Sequence, residues 1–210
     1  MKAFFFSGGL FLMLLFTAKT FAQTRPDALL EYRNRNYESA VSICKNEIAE
    51  YRNNLDAHVV ICWSLISLGR YEEALNYARL GWDISRYDQR IVEILGEISY
   101  YQGRNADGLQ YFQEYINLAP EGGRIDMVYY FIGEIYIRLG RFRHADIALS
   151  TAVHYMPGNA AWWTRLAYAR ENAGELQEAV YAYEQALALN AQYSDARRGL
   201  DRTRAAMAIR

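Results

Sequence analysis

Proline is almost missing from this chain: Pro26, Pro120 and Pro157 are the only three in 210 residues. That scarcity excludes a proline-rich or collagen-like chain and leaves long stretches in which nothing interrupts a helix. Cysteine is as sparse. Cys44 and Cys62 cannot make a disulfide-stapled scaffold or, by themselves, a structural zinc site. Three histidines, His58, His144 and His154, stand at no metal-ligand spacing such as His-x-x-x-His. No glycine-rich phosphate loop is present, and Ser64 and Ser67 have no base beside them. Glu93 and Glu97, one helical turn apart, could hold a cation, but exposed carboxylates are ordinarily just solvated. These absences point to a chain with no catalysis, no metal and no cofactor.

Positive charge is also short. Of 23 lysines and arginines, Lys2 and Lys19 lie in the first 22 residues, leaving 21 against 24 aspartates and glutamates. Lys45 is then the sole lysine. A weakly acidic chain is not the footprint of a nucleic-acid binder. Long apolar runs are limited to one, Phe4 to Phe16. Lys2 precedes it and Thr20-Phe21-Ala22 follows, the order of a secretory signal with cleavage after Ala22. The run is shorter than the roughly 20 residues that span a bilayer comfortably. An uncleaved membrane anchor is the alternative and would be the chain's membrane contact. The expectation is therefore export, with the periplasm as the compartment. Such a compartment is oxidising. Cys44 and Cys62 lie nine residues on either side of Asn53, so an antiparallel helix pair would set them level and a disulfide could form. The alternative is two small apolar fillers of a core.

What the sequence has in abundance is periodicity. Gly69-Arg70-Tyr71-Glu72-Glu73-Ala74 returns as Gly140-Arg141-Phe142-Arg143-His144-Ala145 and Gly174-Glu175-Leu176-Gln177-Glu178-Ala179, with a looser copy at Gly103–Gly108 and an N-terminal one at Arg35–Ala40. A spacing of 34 residues signals stacked helical hairpins sharing one core. The units are 23–54 (shortened), 55–88, 89–122, 126–159 and 160–193, after residues 1–22 and before a terminal segment 194–210. Position 8 of the units holds Cys62, Gly96, Gly133 and Ala167, and position 20 holds Ala40, Ala74, Gly108, Ala145 and Ala179. Small residues at both places let two helices cross closely. Large apolar groups flank them: Ile61, Leu95, Ile132 and Leu166 at position 7, and Phe112, Leu149 and Tyr183 at position 24. Gly69, Gly103, Gly140 and Gly174 suit the left-handed residue that ends a helix.

This pattern resembles the tetratricopeptide repeat family over nearly all of the chain beyond residue 22. The resemblance implies an all-α, right-handed superhelical solenoid of helix-turn-helix repeats, with the last segment as a capping helix. Three departures stand out. In the first unit Pro26 and Asp27 replace helix residues, so Leu29, Leu30 and Tyr32 are expected to cover that end. Tyr115 occupies a position expected to be small, so the stack would open there. Gly123 to Ile125 are extra residues and suggest a flexible joint between the third and fourth units. The terminal segment is amphipathic through Ala196, Leu200 and Met207.

In this family the first helix of each pair lines the inner face. Helical spacing then turns one set inward: Trp63; Glu93, Glu97, Tyr100 and Tyr101; Tyr130, Glu134 and Arg138; Tyr168 and Glu171. Tyrosine offers a broad ring with a polar tip and suits peptide recognition, while the carboxylates would favour a partner with basic residues. The function expected is a protein-interaction scaffold of the bacterial envelope that docks a partner segment in a Tyr- and Glu-lined groove. The alternative is capture of a small ligand for a membrane transporter, which an enclosed cavity would favour. Self-association through Ala205, Ala206, Met207 and Ile209 is a further possibility.

Overall fold

The computed structural model describes residues 27–209, which form eleven helices and no strand. They pair in chain order as α1 (Ala28–Arg33) with α2 (Tyr37–Glu50), α3 (Leu55–Ser67) with α4 (Tyr71–Ile84), and α5 (Gln89–Tyr101) with α6 (Asn105–Leu118). Then come α7 (Ile125–Arg138) with α8 (Phe142–Tyr155), α9 (Ala160–Ala173) with α10 (Leu176–Leu189), and α11 (Ser194–Ala208) alone. The signal segment expected at 1–22 lies outside the described residues.

Local chemistry sets the ends of the first helices. Asp27, Asn54, Asp88 and Asn159 each accept a backbone N–H of the first turn of α1, α3, α5 and α9, the side-chain cap that orphan donors at a helix start require. At the other end Gly69, Gly103, Gly140 and Gly174 have φ of 73°, 74°, 68° and 87°. The next residue's N–H reaches back to close the turn, as Arg70 N to Leu65 O at 2.8 Å does. In the first unit the same left-handed place is held by Arg35, at φ 64°, a conformation that costs a side-chain-bearing residue about 1–2 kcal/mol. Pro120 and Pro157 follow the ends of α6 and α8.

Packing turns on the small residues where helices cross. A methyl group built on Gly96 would stand 2.6 Å from the Phe112 ring, and one on Gly133 would stand 2.5 Å from Leu149 Cγ. The small position 8 thus receives the large position 24, and Phe112 and Leu149 are fully buried, each contributing about 2 kcal/mol by leaving water. Gly199 of α11 accepts the Tyr183 ring in the same way. Ala196, Leu200 and Thr203 of α11 are buried, so this helix covers the last hairpin, with Met207 left at the surface.

Successive first helices, α1 through α11 in odd numbers, approach one another backbone to backbone along the whole stack, whereas α2, α4, α6, α8 and α10 stand farther apart and meet through side chains such as Lys45 with Glu73 and Trp82 with Tyr111. The hairpins therefore fan, closed along the first helices and open along the second, and the first helices line the inner face.

Four expectations are corrected. Cys44 and Cys62 are both buried free thiols, because Cys62 Sγ is turned to the Ala74 carbonyl of α4 at 3.4 Å. Burial pushes the Cys44 thiol up to about 12. Leu30 is exposed, and Ala28 takes the buried place beside Leu29 and Tyr32. Tyr115 does not open the stack: it is buried, and its hydroxyl accepts the Arg124 backbone N–H at 3.1 Å. The extra residues are accordingly a tied joint. Gly122 packs so closely on the Tyr115 hydroxyl that an added methyl would stand 2.4 Å from it.

Candidate functional site

The ten residues expected to face inward lie on α3, α5, α7 and α9, but most are engaged with one another or with neighbouring hairpins. The carboxylates show this best. Arg165 grips Glu134 with two parallel bonds, Nε to Oε1 at 2.6 Å and Nη2 to Oε2 at 2.9 Å. Arg202 of α11 grips Glu171 likewise, at 2.6 Å on each oxygen, and Tyr183 donates its hydroxyl to the same carboxylate at 2.8 Å. Glu93 accepts two bonds on one oxygen, from Arg124 Nε at 3.1 Å and Nη2 at 2.7 Å. Each arginine comes 31 residues after its glutamate. A planar guanidinium matched to a carboxylate is the strong, oriented form of ion pair, and here it clamps the third hairpin to the fourth, the fourth to the fifth and the fifth to α11.

The inner carboxylates expected to meet a basic partner are thus bonded to this chain's own arginines. Glu134 and Glu171 have both oxygens occupied, and Glu93 is buried to 1% exposure. The cation that Glu93 and Glu97 hold is this chain's own Arg124. Arg124, Arg165 and Arg202 were not foreseen from the sequence, although the constant offset of 31 residues was there to find.

Arg124 stands where the other hairpins through α9 place aspartate or asparagine as the first-helix cap. It makes no side-chain cap to α7, and its side chain is free to enter the inner face. There it meets two carboxylates with one guanidinium. Glu97 receives a single longer bond, Arg124 Nη2 to Oε2 at 3.3 Å, and is 8% exposed. Burial, then the neighbouring Glu93 charge, pushes the Glu97 carboxyl up to about 8. Burial also raises the Glu93 carboxyl, with Arg124 opposing.

The aromatic residues form a second internal system. Tyr101 stacks on Tyr71 at 4.8 Å between centroids, and Tyr130 on Trp162 at 4.9 Å. Tyr100 packs on Phe131 at 4.9 Å and carries the Arg138 guanidinium 4.4 Å above its ring. Arg138 also donates to the Tyr100 carbonyl and to Asn105. Trp63 packs against Tyr32 at 5.7 Å. Arg165 lies 5.3 Å over Tyr168. Of the ten, Tyr101 at 43% and Arg138 remain exposed, Trp63, Tyr100, Tyr130, Glu134, Tyr168 and Glu171 are half-buried, and Glu93 and Glu97 are buried. The residues brought together by the fold are thus Tyr71, Tyr100, Tyr101, Tyr130 and Trp162 as one aromatic strip, bordered by the charge clamps.

Clefts of roughly 350 to 590 Å³ are open ones at helix ends and between helices. One lies between Trp63, Arg90 and the start of α1, another around Met127, Asn159 and Trp162. Arg90, also on an inward position, is held by Asp88 at 2.8 Å and by Asp56 of the preceding hairpin at 2.7 Å.

Residues 132–205 match the family model for the tetratricopeptide repeat. No curated protein matches the chain. Among solved structures, a chain of the APC/C hetero-tetramer Cut9–Hcn1 is similar with a TM-score of 0.76 at 16% identity, over 84% of this chain and 35% of that one. The chain therefore spans about a third of that protein. PilW, a type IV pilus biogenesis factor, gives 0.73 at 19% identity over 86% of both chains. YrrB, described as having an unusual peptide-binding site, gives 0.69 at 16% over 80% of this chain and 84% of that one.

Proposed function

We propose that this tetratricopeptide-repeat solenoid is a non-catalytic scaffold of the cell envelope that docks an extended segment or helix of a protein partner along its inner face. One observation supports the reading: the first helices line the inner face and, with Tyr71 at the start of α4, carry an aromatic strip from Tyr71 and Tyr101 through Tyr100 to Tyr130, with Arg138 exposed beside it and Tyr168 farther along the same face. An open trough of aromatic edges suits a chain-like ligand, whereas a small ligand calls for enclosure. Because the flanking glutamates are clamped, the partner is recognised by apolar and aromatic side chains rather than by basic ones. Export rests on the apolar run Phe4–Phe16 between Lys2 and Ala22.

A photo-crosslinking residue in place of Tyr101, with Tyr181 on the outer side as the control position, tests the reading in native envelope extracts. The expected result is one protein adduct at residue 101, none at 181, and at least tenfold weaker capture when Tyr168→Ala is added. Equal labelling at both positions would sink the inner-face reading, and a small-molecule adduct alone would favour ligand capture.

A further inference from the structure

Three glutamate clamps lie along the inner face, and one of them does not balance. Glu134 faces Arg165 and Glu171 faces Arg202, one charge against one. Glu93 and Glu97 share Arg124. The Glu93 side chain is 1% exposed and that of Glu97 10%, so an uncompensated charge there cannot be left to water. The other groups facing this cluster do not supply the missing cation. Tyr32 of α1 faces Glu97 and Arg124, Tyr101 of α5 faces Glu97, and Tyr115 of α6 and Asp126 of α7 face Glu93. Of these groups Arg124 alone is positive, and Asp126 adds to the negative side.

We propose that Glu93, Glu97 and Arg124 form a proton-dependent latch between the third and fourth hairpins, closed when the two carboxylates share one proton and released when both are charged. Closed, one carboxylate and one guanidinium cancel, and the protonated carboxyl donates its hydrogen to its neighbour one turn away. Released, a second buried charge faces a guanidinium already committed to Glu93, since Glu97 has only the 3.3 Å bond. The segment that gives way is the one carrying Arg124, held otherwise by the Tyr115 hydroxyl. The latch lies beside Tyr32 and Tyr101, so its release alters the same inner face that the partner would use.

The sign follows from the raised Glu97 carboxyl. The folded chain holds a proton that the unfolded chain gives up near the ordinary carboxylate range, about 4.3. Stability is therefore greatest at low pH and declines as pH rises toward about 8. Thermal unfolding of the purified chain from pH 5.5 to 8.5 tests this against Glu97→Gln, which is the same size and carries no charge. Relative to the variant, the Tm of the natural chain is expected to fall by about 5 °C over that range. Curves that stay parallel would overturn the latch. A second measurement needs no variant: the infrared band of a protonated carboxyl should persist in the natural chain at pH 6.5 and vanish above pH 9. Its absence at pH 6.5 would also overturn the proposal.

Discussion

Between the fourth and fifth hairpins, Pro157 ends α8, Asn159 caps α9, and Glu134 and Arg165 close the inner side with one fork. Between the third and fourth, three residues are added after Pro120, the cap is replaced by Arg124, and one guanidinium serves two buried carboxylates. Both junctions set one first helix beside the next, α7 beside α9 and α5 beside α7. The first does so with parts that are satisfied separately. In the second, Tyr115, Gly122, Arg124 and Glu93 depend on one another, so a single change there is felt by all of them.

The sharpest way to break the comparison is to remove one arginine at a time. Arg124→Met should cost about 3 kcal/mol at pH 8, because it leaves buried carboxylates unpaired, and clearly less at pH 5.5, where they can take up protons. Arg165→Met should cost about 1 kcal/mol, with little pH dependence over the same range. Urea unfolding at the two pH values measures both, and equal costs would erase the distinction.

A smaller effect tests the regular parts of the stack. Gly133→Val drives a side chain into Leu149 and should cost about 2 kcal/mol. Gly140→Ala meets nothing within 4 Å and should cost about 1 kcal/mol from its φ alone. The smallest effect has the opposite sign. Arg35→Gly relieves the left-handed arginine of the first unit and should raise stability by about 0.5 kcal/mol. If it destabilises instead, Arg35 contributes something that its backbone does not reveal.

The hairpins, the crossing glycines and the left-handed turns were legible because a 34-residue period writes each rule four or five times. The terminal helix was legible from Ala196 and Leu200. Charge pairing was not, because a helical wheel says which way Glu134 points but not what the next hairpin points back. Arg165 and Arg202 sit on neighbouring units and Arg124 on a loop, so no single repeat contains a clamp. Tyr115 and Gly123–Ile125 each read as a defect when taken singly. Together they compensate, the larger side chain being accommodated by the added residues. Cys44 and Cys62 were placed on facing helices correctly, but the direction of Cys62 Sγ depends on α4, which spacing alone does not describe.

Contact between first helices and separation between second helices also has a mechanical meaning. The row of inner contacts acts as the axis of a folding screen, and the guanidinium forks lie close to that axis. Flattening the screen barely lengthens the forks and is felt mainly at outer pairs such as Lys45 with Glu73 and Trp82 with Tyr111. Sliding one panel past the next, at any of the last three junctions, shears the fork that spans it. A partner that twists the last three junctions therefore works against each arginine in turn, while one that bends the stack about the inner row works against the outer pairs instead.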